Sequence, residues 1–274
     1  MTLPLDHIVI AVHDLDRTIA DYTALGFTVL RGGDHPGRPT HNALVVFADG
    51  AYFELIAWRE AAPADRWWQQ LQRHGEGIVD FALLPNGTAT TVAGAQARGL
   101  DYSGPYDGGR QRPDGVQLRW QNARPPSQDL PFLCGDLTPR TLRVPEGAAR
   151  VHANGAQGVA SLAVAVRDLD ATLTRYRALL GPQATIGTPV ALPGSGTRVA
   201  TIALGGSALV LTAPRDATGA LAQRLAARGE GPYALVLSTP DAKNALTALD
   251  LGATHGALIE FTLPQTEAAA AQAG

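Results

Sequence analysis

The run Leu5-Asp6-His7-Ile8-Val9-Ile10-Ala11-Val12, the helix start Asp14-Leu15-Asp16 and the stop Ala24-Leu25-Gly26 recur about 154 residues later, between Val159 and Gly181. A chain that repeats at this interval is built from duplicated supersecondary units, so its fold must be one in which a unit packs on its own copy. The copies differ at two informative places. His7 aligns with Ser161, and Glu54 in Ala51-Tyr52-Phe53-Glu54-Leu55-Ile56-Ala57 aligns with Val210. Scaffold requirements explain what the copies share, so His7 and Glu54 are where chemistry is sought first.

With 274 residues and 45% hydrophobic content, the chain can bury one large core or two ordinary ones without staples. Its net charge of -3 and pI of 6.1 come without a Lys/Arg cluster, which argues against a nucleic-acid or anionic-membrane partner. The single cysteine, Cys134, excludes an internal disulfide framework and a Cys-rich zinc site, and fits a reducing compartment. No apolar run approaches the roughly 20 residues of a membrane span, and no leader precedes Leu5, so the sequence reads as cytoplasmic.

Alternation over residues 5 to 12 predicts a strand. Asp14 or Asp16 caps a helix through Thr18, Ile19, Tyr22 and Leu25, stopped by Gly26. A strand beginning at Phe27 to Leu30, a Gly/Pro loop over residues 32 to 39, and strands His41 to Phe47 and Tyr52 to Ala57 about the Asp49-Gly50 turn complete a βαβββ unit. A helix carrying Trp67 and Trp68 leads to His74-Gly75-Glu76-Gly77 and a second unit. Its strands are Ile78 to Leu84, Leu100 to Ser103, Val116 to Gln121 and Leu130 to Cys134. A third unit covers about 158 to 213, and a fourth, truncated one opens at Arg228-Gly229-Glu230-Gly231. The expected class is α+β, with four βαβββ modules pairing into curved open mixed sheets. Residues 1–136 form one domain, 137–157 a linker rich in Pro and Gly, and 158–274 a second domain.

These elements resemble the vicinal oxygen chelate superfamily of glyoxalase I, extradiol dioxygenases and bleomycin-resistance proteins, and within it the glyoxalase-like domain proteins. The resemblance rests on the Leu5 to Val12 strand, the Asp14-Leu15-Asp16 helix start, Gly33-Asp34-His35-Pro36-Gly37, Thr40-His41-Asn42, the Glu54 strand and Arg112-Pro113-Asp114-Gly115. It implies a cup holding a divalent metal that binds two neighbouring substrate oxygens, with ligands from the first and last strands of each unit. Carried over, His7 and Glu54 are metal ligands and Asp80 is a third at the position matching His7. The last strand of unit two lacks the Glu of a glyoxalase I-like site; Cys134 and Asp136 are its candidate replacements. His41 and Asn42, on a strand that contacts substrate in the wider family, join His35 as substrate-binding candidates. Arg112 and Arg119 are candidate anion holders, because a guanidinium grips a carboxylate at two points. Glu54 and His41 are the candidates for moving a proton.

Physical chemistry alone leaves alternatives beside each role. A mid-strand carboxylate among Phe53, Leu55 and Ile56 needs compensation. An ion pair with His7 supplies that as well as a metal does. Ligation by His and carboxylate suits Zn, Fe, Mn, Ni or Co. The readings are therefore a metal-dependent lyase, isomerase or dioxygenase acting on a small oxygenated molecule, or a metal-free binding protein of resistance type. A buried ion pair supporting a homodimer is the third. Ser161, Val210 and Ala234 replace His7, Glu54 and Asp80 in the second half, which predicts no metal there.

Overall fold

The computed structural model describes residues 3–111 and 115–264. In the first unit, β1 (Leu5–Ala11) leads to α1 (Leu15–Ala24), β2 (Leu30–Asp34), β3 (Thr40–Val46) and β4 (Tyr52–Trp58). Helix α2 (Arg66–His74) crosses to the second unit of β5 (Gly77–Leu83), α3 (Thr88–Ala97), β6 (Ser103–Gln111), β7 (Gln117–Arg124) and β8 (Phe132–Asp136). The eight strands form one mixed sheet in the order β2-β3-β4-β1-β5-β8-β7-β6. At its centre β1 pairs parallel with β4 and antiparallel with β5. After a short helix α4 (Arg140–Arg143) the pattern repeats with β9 (Gly158–Ala165), α5 (Leu169–Leu180), β10 (Val190–Leu192), β11 (Thr197–Leu204) and β12 (Ser207–Pro214). Helix α6 (Gly219–Arg228) precedes β13 (Gly231–Ser238) and β14 (Leu258–Thr262), and the second sheet has the order β10-β11-β12-β9-β13-β14. The fold is the expected α+β one of curved open mixed sheets, and the fourth unit is the short one.

Capping repeats with the sequence. Asp14 accepts a hydrogen bond from the Arg17 amide at 3.0 Å, and Asp168 accepts one from Ala171 at 3.0 Å, each satisfying a first-turn N–H. The glycine run 32–33 belongs to β2 and not to a loop. The cause lies opposite: a Cβ on Gly32 would fall 2.0 Å from Asn42 Oδ1, so the bare backbone makes room for the Asn42 amide. Phe27, expected to open that strand, instead packs edge-on to Phe47 and Phe53 in the core.

Strand periodicity divides the first sheet into two faces. Ile8, Ile10, Phe53 and Leu55 face a core that continues into Leu162, Val164 and Leu211 of the second half. His7, Val9, Ala11, Ile56 and Ala82 line the other face. The halves cross-dock through equivalent helix positions. Tyr22 of α1 donates to Thr254 O at 3.0 Å, and Tyr176 of α5 donates to Asp129 O at 2.9 Å. Thr18 Oγ1 lies 3.4 Å from His255 Nδ1, and Thr172 donates to Asp129 Oδ2 at 2.8 Å.

Residues 137–157, read as a linker, are docked on the first half. His152 Nδ1 accepts from the Thr28 amide at 3.0 Å while Nε2 meets Val46 O at 3.0 Å. Arg140 and Arg143 of α4 enter the base of the concave face. Composition misleads here because Pro and Gly mark turns without saying what lies between them.

Candidate active site

The floor of the concave face is set by two cross-strand rows. Tyr52, His7 and Ala82 are register partners across β4, β1 and β5, and Glu54, Val9 and Asp80 form the next row. Val9 and Ala82 pack with Ile56, Phe132 and Cys134 between the polar groups of unit one and those of unit two.

His7 is 3% exposed. Its ring stacks on Tyr52 with centroids 4.7 Å apart and meets the Phe132 ring edge-on at 5.2 Å. Its Nδ1 lies 2.6 Å from Asp6 Oδ2. Asp6 is fully buried, and burial by itself would raise its pKa. Arg143, the bond from His7, and Arg140 outweigh that and hold the carboxyl well below the ordinary range. Arg143 reaches Asp6 with two N–H groups at 3.1 Å each, Asp136 at 2.6 and 2.9 Å, and the Tyr52 hydroxyl at 2.6 Å. Arg140 also donates to Asp6, to Asp136 at 3.1 Å and to Gly50 O at 2.8 Å. An ionised Asp6 only accepts, so Nδ1 of His7 carries a proton. Nε2 faces Glu54, whose Oε2 is 3.6 Å away.

Glu54 is 9% exposed. Its Oε1 accepts from Asn42 Nδ2 at 2.7 Å, whereas Oε2 makes no hydrogen bond among the described residues. His35 approaches from the other side, with Nε2 3.7 Å from Oε1 and 3.2 Å from Asn42 Nδ2, and with Nδ1 2.7 Å from Thr40 Oγ1. Because the Asn42 amide is oriented by its bond to Glu54, His35 Nε2 is an acceptor and Nδ1–H donates to Thr40. Burial lowers the His35 pKa against the opposing pull of Glu54, which keeps the ring neutral.

His7, Glu54, His35 and Asn42 thus meet, and three other described candidates, His41, Asp80 and Arg119, do not join them. His41 pairs with Ala57 and so projects from the opposite face, near Arg59, Asp34, Asp16 and Arg31. It shares no surface with Glu54; one residue of strand parity separates it from Asn42. Asp80 lies on the concave face, but its carboxylate takes the guanidinium of Arg66 and the Trp67 indole N–H at 2.8 Å. Burial raises its pKa despite Arg66. Arg119 is exposed on the convex side of β7, its backbone bonded to Thr138. Arg112 lies outside the described residues.

Sequence reasoning passed over Asp6, Arg140, Arg143 and Arg66. A buried Asp directly before a candidate ligand His was the available signal for the first; the arginines carried none.

A divalent ion fits the donor chemistry of unit one: an imidazole with its Nδ1 anchored by a carboxylate, beside a carboxylate oxygen without a hydrogen bond among the described residues. Asp6, His7 and Cys134 also have ligand atoms within 4.8 Å of one another. That grouping is the weaker one, because both Asp6 oxygens already serve two guanidiniums and burial pushes the Cys134 thiol far up. Unit two contributes an ion pair at Asp80 and the ring of Phe132.

The family model for the glyoxalase-like domain matches residues 5–180. None of the curated proteins matches. A hypothetical protein from Staphylococcus aureus is 15% identical with a TM-score of 0.71, and the match covers 95% of this chain and 99% of that one. A triple-substitution variant of 4-hydroxymandelate synthase from Streptomyces coelicolor is 17% identical with a TM-score of 0.60, over 88% of this chain and 72% of that one. A xylose isomerase-like TIM barrel/4-hydroxyphenylpyruvate dioxygenase fusion protein is 16% identical with a TM-score of 0.55, over 88% of this chain and 37% of that one. At these identities the likeness is one of fold.

Proposed function

Since the chain belongs to the glyoxalase-like domain family of the vicinal oxygen chelate superfamily, we propose that it is a metal-dependent enzyme acting on a small molecule with adjacent oxygens. His7 and Glu54 hold the ion in this reading. The observation that carries it is the preparation of His7: Nδ1 is tied at 2.6 Å to a carboxylate locked by two arginines, and Nε2 is turned toward Glu54 in a dry floor. A carboxylate–histidine arrangement of this kind raises ligand basicity and fixes ring orientation.

When bound, a divalent ion at this place supplies Lewis-acid stabilisation of negative charge on substrate oxygen. The protein's own contribution is positional. Asn42 holds Oε1 of Glu54 by hydrogen bond, which orients the carboxylate with Oε2 toward His7. Tyr52 and Phe132 wall the His7 ring and keep water from it. The reaction is of lyase, isomerase or dioxygenase type, the chemistries this superfamily hosts.

The test is elemental analysis of untagged protein purified without chelator, alongside His7→Ala and Glu54→Gln. Near-stoichiometric Zn, Fe, Mn, Ni or Co that disappears in both variants is the expected result, with a rise in Tm on metal addition to the unsubstituted protein alone. No binding after reconstitution with each of the five ions sinks the metal reading.

One observation favours a second reading. In unit two the carboxylate of Asp80 is neutralised by Arg66, and Phe132 presents an apolar ring beside His7, which suits a metal-free cup that sequesters a ligand. Thermal stabilisation by a small molecule in metal-free protein would support it.

A further inference from the structure

The divergence between the copies that singles out His7 and Glu54 singles out a second place. Where β1 and β4 end against α2, a cavity of about 240 Å³ is lined by Trp58, Trp68, Val12, Leu71, Glu60 and Gln72. Its floor is apolar, with Val12 fully buried and Leu71 3% exposed. Matching hydrogen bonds fix the equivalent place in the second half. The His13 and Arg167 amides donate to Glu76 and Glu230, each at 2.7 Å, and the Val12 and Val166 amides to Ile56 O and Thr212 O, each at 2.9 Å. By that correspondence Leu71 matches Leu225, so the floor is shared, whereas Trp58 matches Pro214 and Trp68 matches Ala222. Packing a helix on the sheet at this point therefore does not require the tryptophans. Arg167, the counterpart of the cavity-lining His13, donates from its guanidinium to Leu225 O of α6 at 2.9 Å. In the second half a cation of the chain itself reaches from the end of β9 to the helix, across the gap that the first half leaves open.

We propose that this cavity is a second ligand site, which takes a small organic cation of the quaternary-ammonium kind between Trp58 and Trp68, with Glu60 balancing its charge. The site is independent of the metal reading. Trp58 Nε1 is buried and has no hydrogen-bond partner among the described residues. An orphaned donor is costly and a phenylalanine would avoid the cost, so the indole is kept for its ring. Of the aromatic rings, that of tryptophan attracts a cation most strongly. The guanidiniums next to the cavity in sequence are committed elsewhere, Arg59 to Asp34 at 2.7 Å and Arg66 to Asp80. Glu60 is thereby left without an ion pair among the described residues, at a cavity lined by neither Arg nor Lys. Size agrees with this class of ligand. A cavity of about 150 Å³ takes up benzene, so one of about 240 Å³ has room for a trimethylammonium group on a short chain.

The experiment titrates the full chain with choline and with its uncharged isostere 3,3-dimethylbutan-1-ol at matched ionic strength, and follows the indole N–H signals of the four tryptophans by NMR. Choline should shift the Trp58 and Trp68 signals saturably, and the alcohol should bind at least about threefold more weakly, the smaller end of what a cation–π contact contributes. Trp68→Leu keeps the wall apolar and should lower choline affinity about three- to thirtyfold. Glu60→Gln should narrow the gap between choline and the alcohol. Glu260→Gln, exposed on β14 of the second half, should match the parent. Equal affinity for choline and the alcohol in the parent would overturn the proposal. So would the absence of a shift at Trp58 and Trp68, or choline affinity unchanged in both Trp68→Leu and Glu60→Gln. Glu60 is exposed, so Glu60→Gln keeps the test decisive should Trp68→Leu fail to fold.

Discussion

Removing Arg143 is the most severe test of how the site is held. Its guanidinium makes five hydrogen bonds, to Asp6, Asp136 and Tyr52, with the Arg143 side chain 8% and the Asp6 side chain 0% exposed. Arg143→Met fills much of the volume but leaves a buried carboxylate with Arg140 and His7 as its remaining partners. Breaking a buried pair from one side costs about 3–5 kcal/mol. At about 2.1 cal/mol/K of unfolding entropy per residue, a chain of 274 residues loses roughly 5–9 °C in Tm for that cost. The pH dependence has a definite sign. The folded pKa of Asp6 lies below its unfolded value, so its stabilisation is complete above that unfolded value, near 3.8, and disappears as pH falls through the folded one. Arg143→Met weakens this depression, so acid unfolding should begin at higher pH in the variant. Urea denaturation at pH 7 and an acid titration by circular dichroism measure both effects. Adding Asp6→Asn should restore part of the loss, because the uncompensated charge is gone. A Tm drop under about 2 °C, or a double variant whose loss equals the sum of the singles, would refute this account of the network.

Other predictions follow from the same contacts. Gly32→Ala should displace the Asn42 amide and weaken metal binding without the loss of fold that a core change brings, as read by Co(II) titration beside circular dichroism. Tyr176→Phe leaves the Asp129 carbonyl without its 2.9 Å donor and should cost about 1–3 kcal/mol in chemical denaturation. Gly256→Ala places a Cβ 2.5 Å from Glu76 O at φ +78°, so it should lower Tm, and an unchanged Tm would mean that the contact between Gly256 and Glu76 yields freely. Burial lowers the pKa of His152, whose Nδ1 must accept from Thr28; the unfolded chain therefore binds more protons, and stability should decline as pH falls from 7.5 to 5.5. The decline should be smaller in His152→Gln.

Much of this was legible in the residues. Strand alternation pointed to the α+β class of curved mixed sheets and to the order of elements, and a His and a Glu stood out in apolar strands. What escaped has physical causes. Whether His41 or Asn42 faces Glu54 depends on register across the 47–51 connection, and one residue of shift exchanges the two. Asp80 reads as a ligand until α2, the helix just before its own strand, folds back to bring Arg66 and Trp67 to it. The arginines of α4 sit between Pro139 and Pro145, where a linker was the economical reading, and only three-dimensional packing delivers them to Asp6.

The two cross-docked helices carry opposite charges at equivalent positions. In one joint Asp21 of α1 meets His255 Nε2 at 3.1 Å, and in the other Arg175 of α5 meets Asp129 at 2.6 Å. The first half therefore offers carboxylates at both its helix and its receptor, Asp21 and Asp129, and the second offers the Arg175 guanidinium and the His255 imidazole. Two first halves brought together in this geometry would set carboxylate against carboxylate, and two second halves would bring a carboxylate to neither joint. Only the mixed pairing joins unlike groups at both joints. The duplicated halves are thereby made selective for each other, and an arrangement that looks symmetric in backbone is directional in its electrostatics.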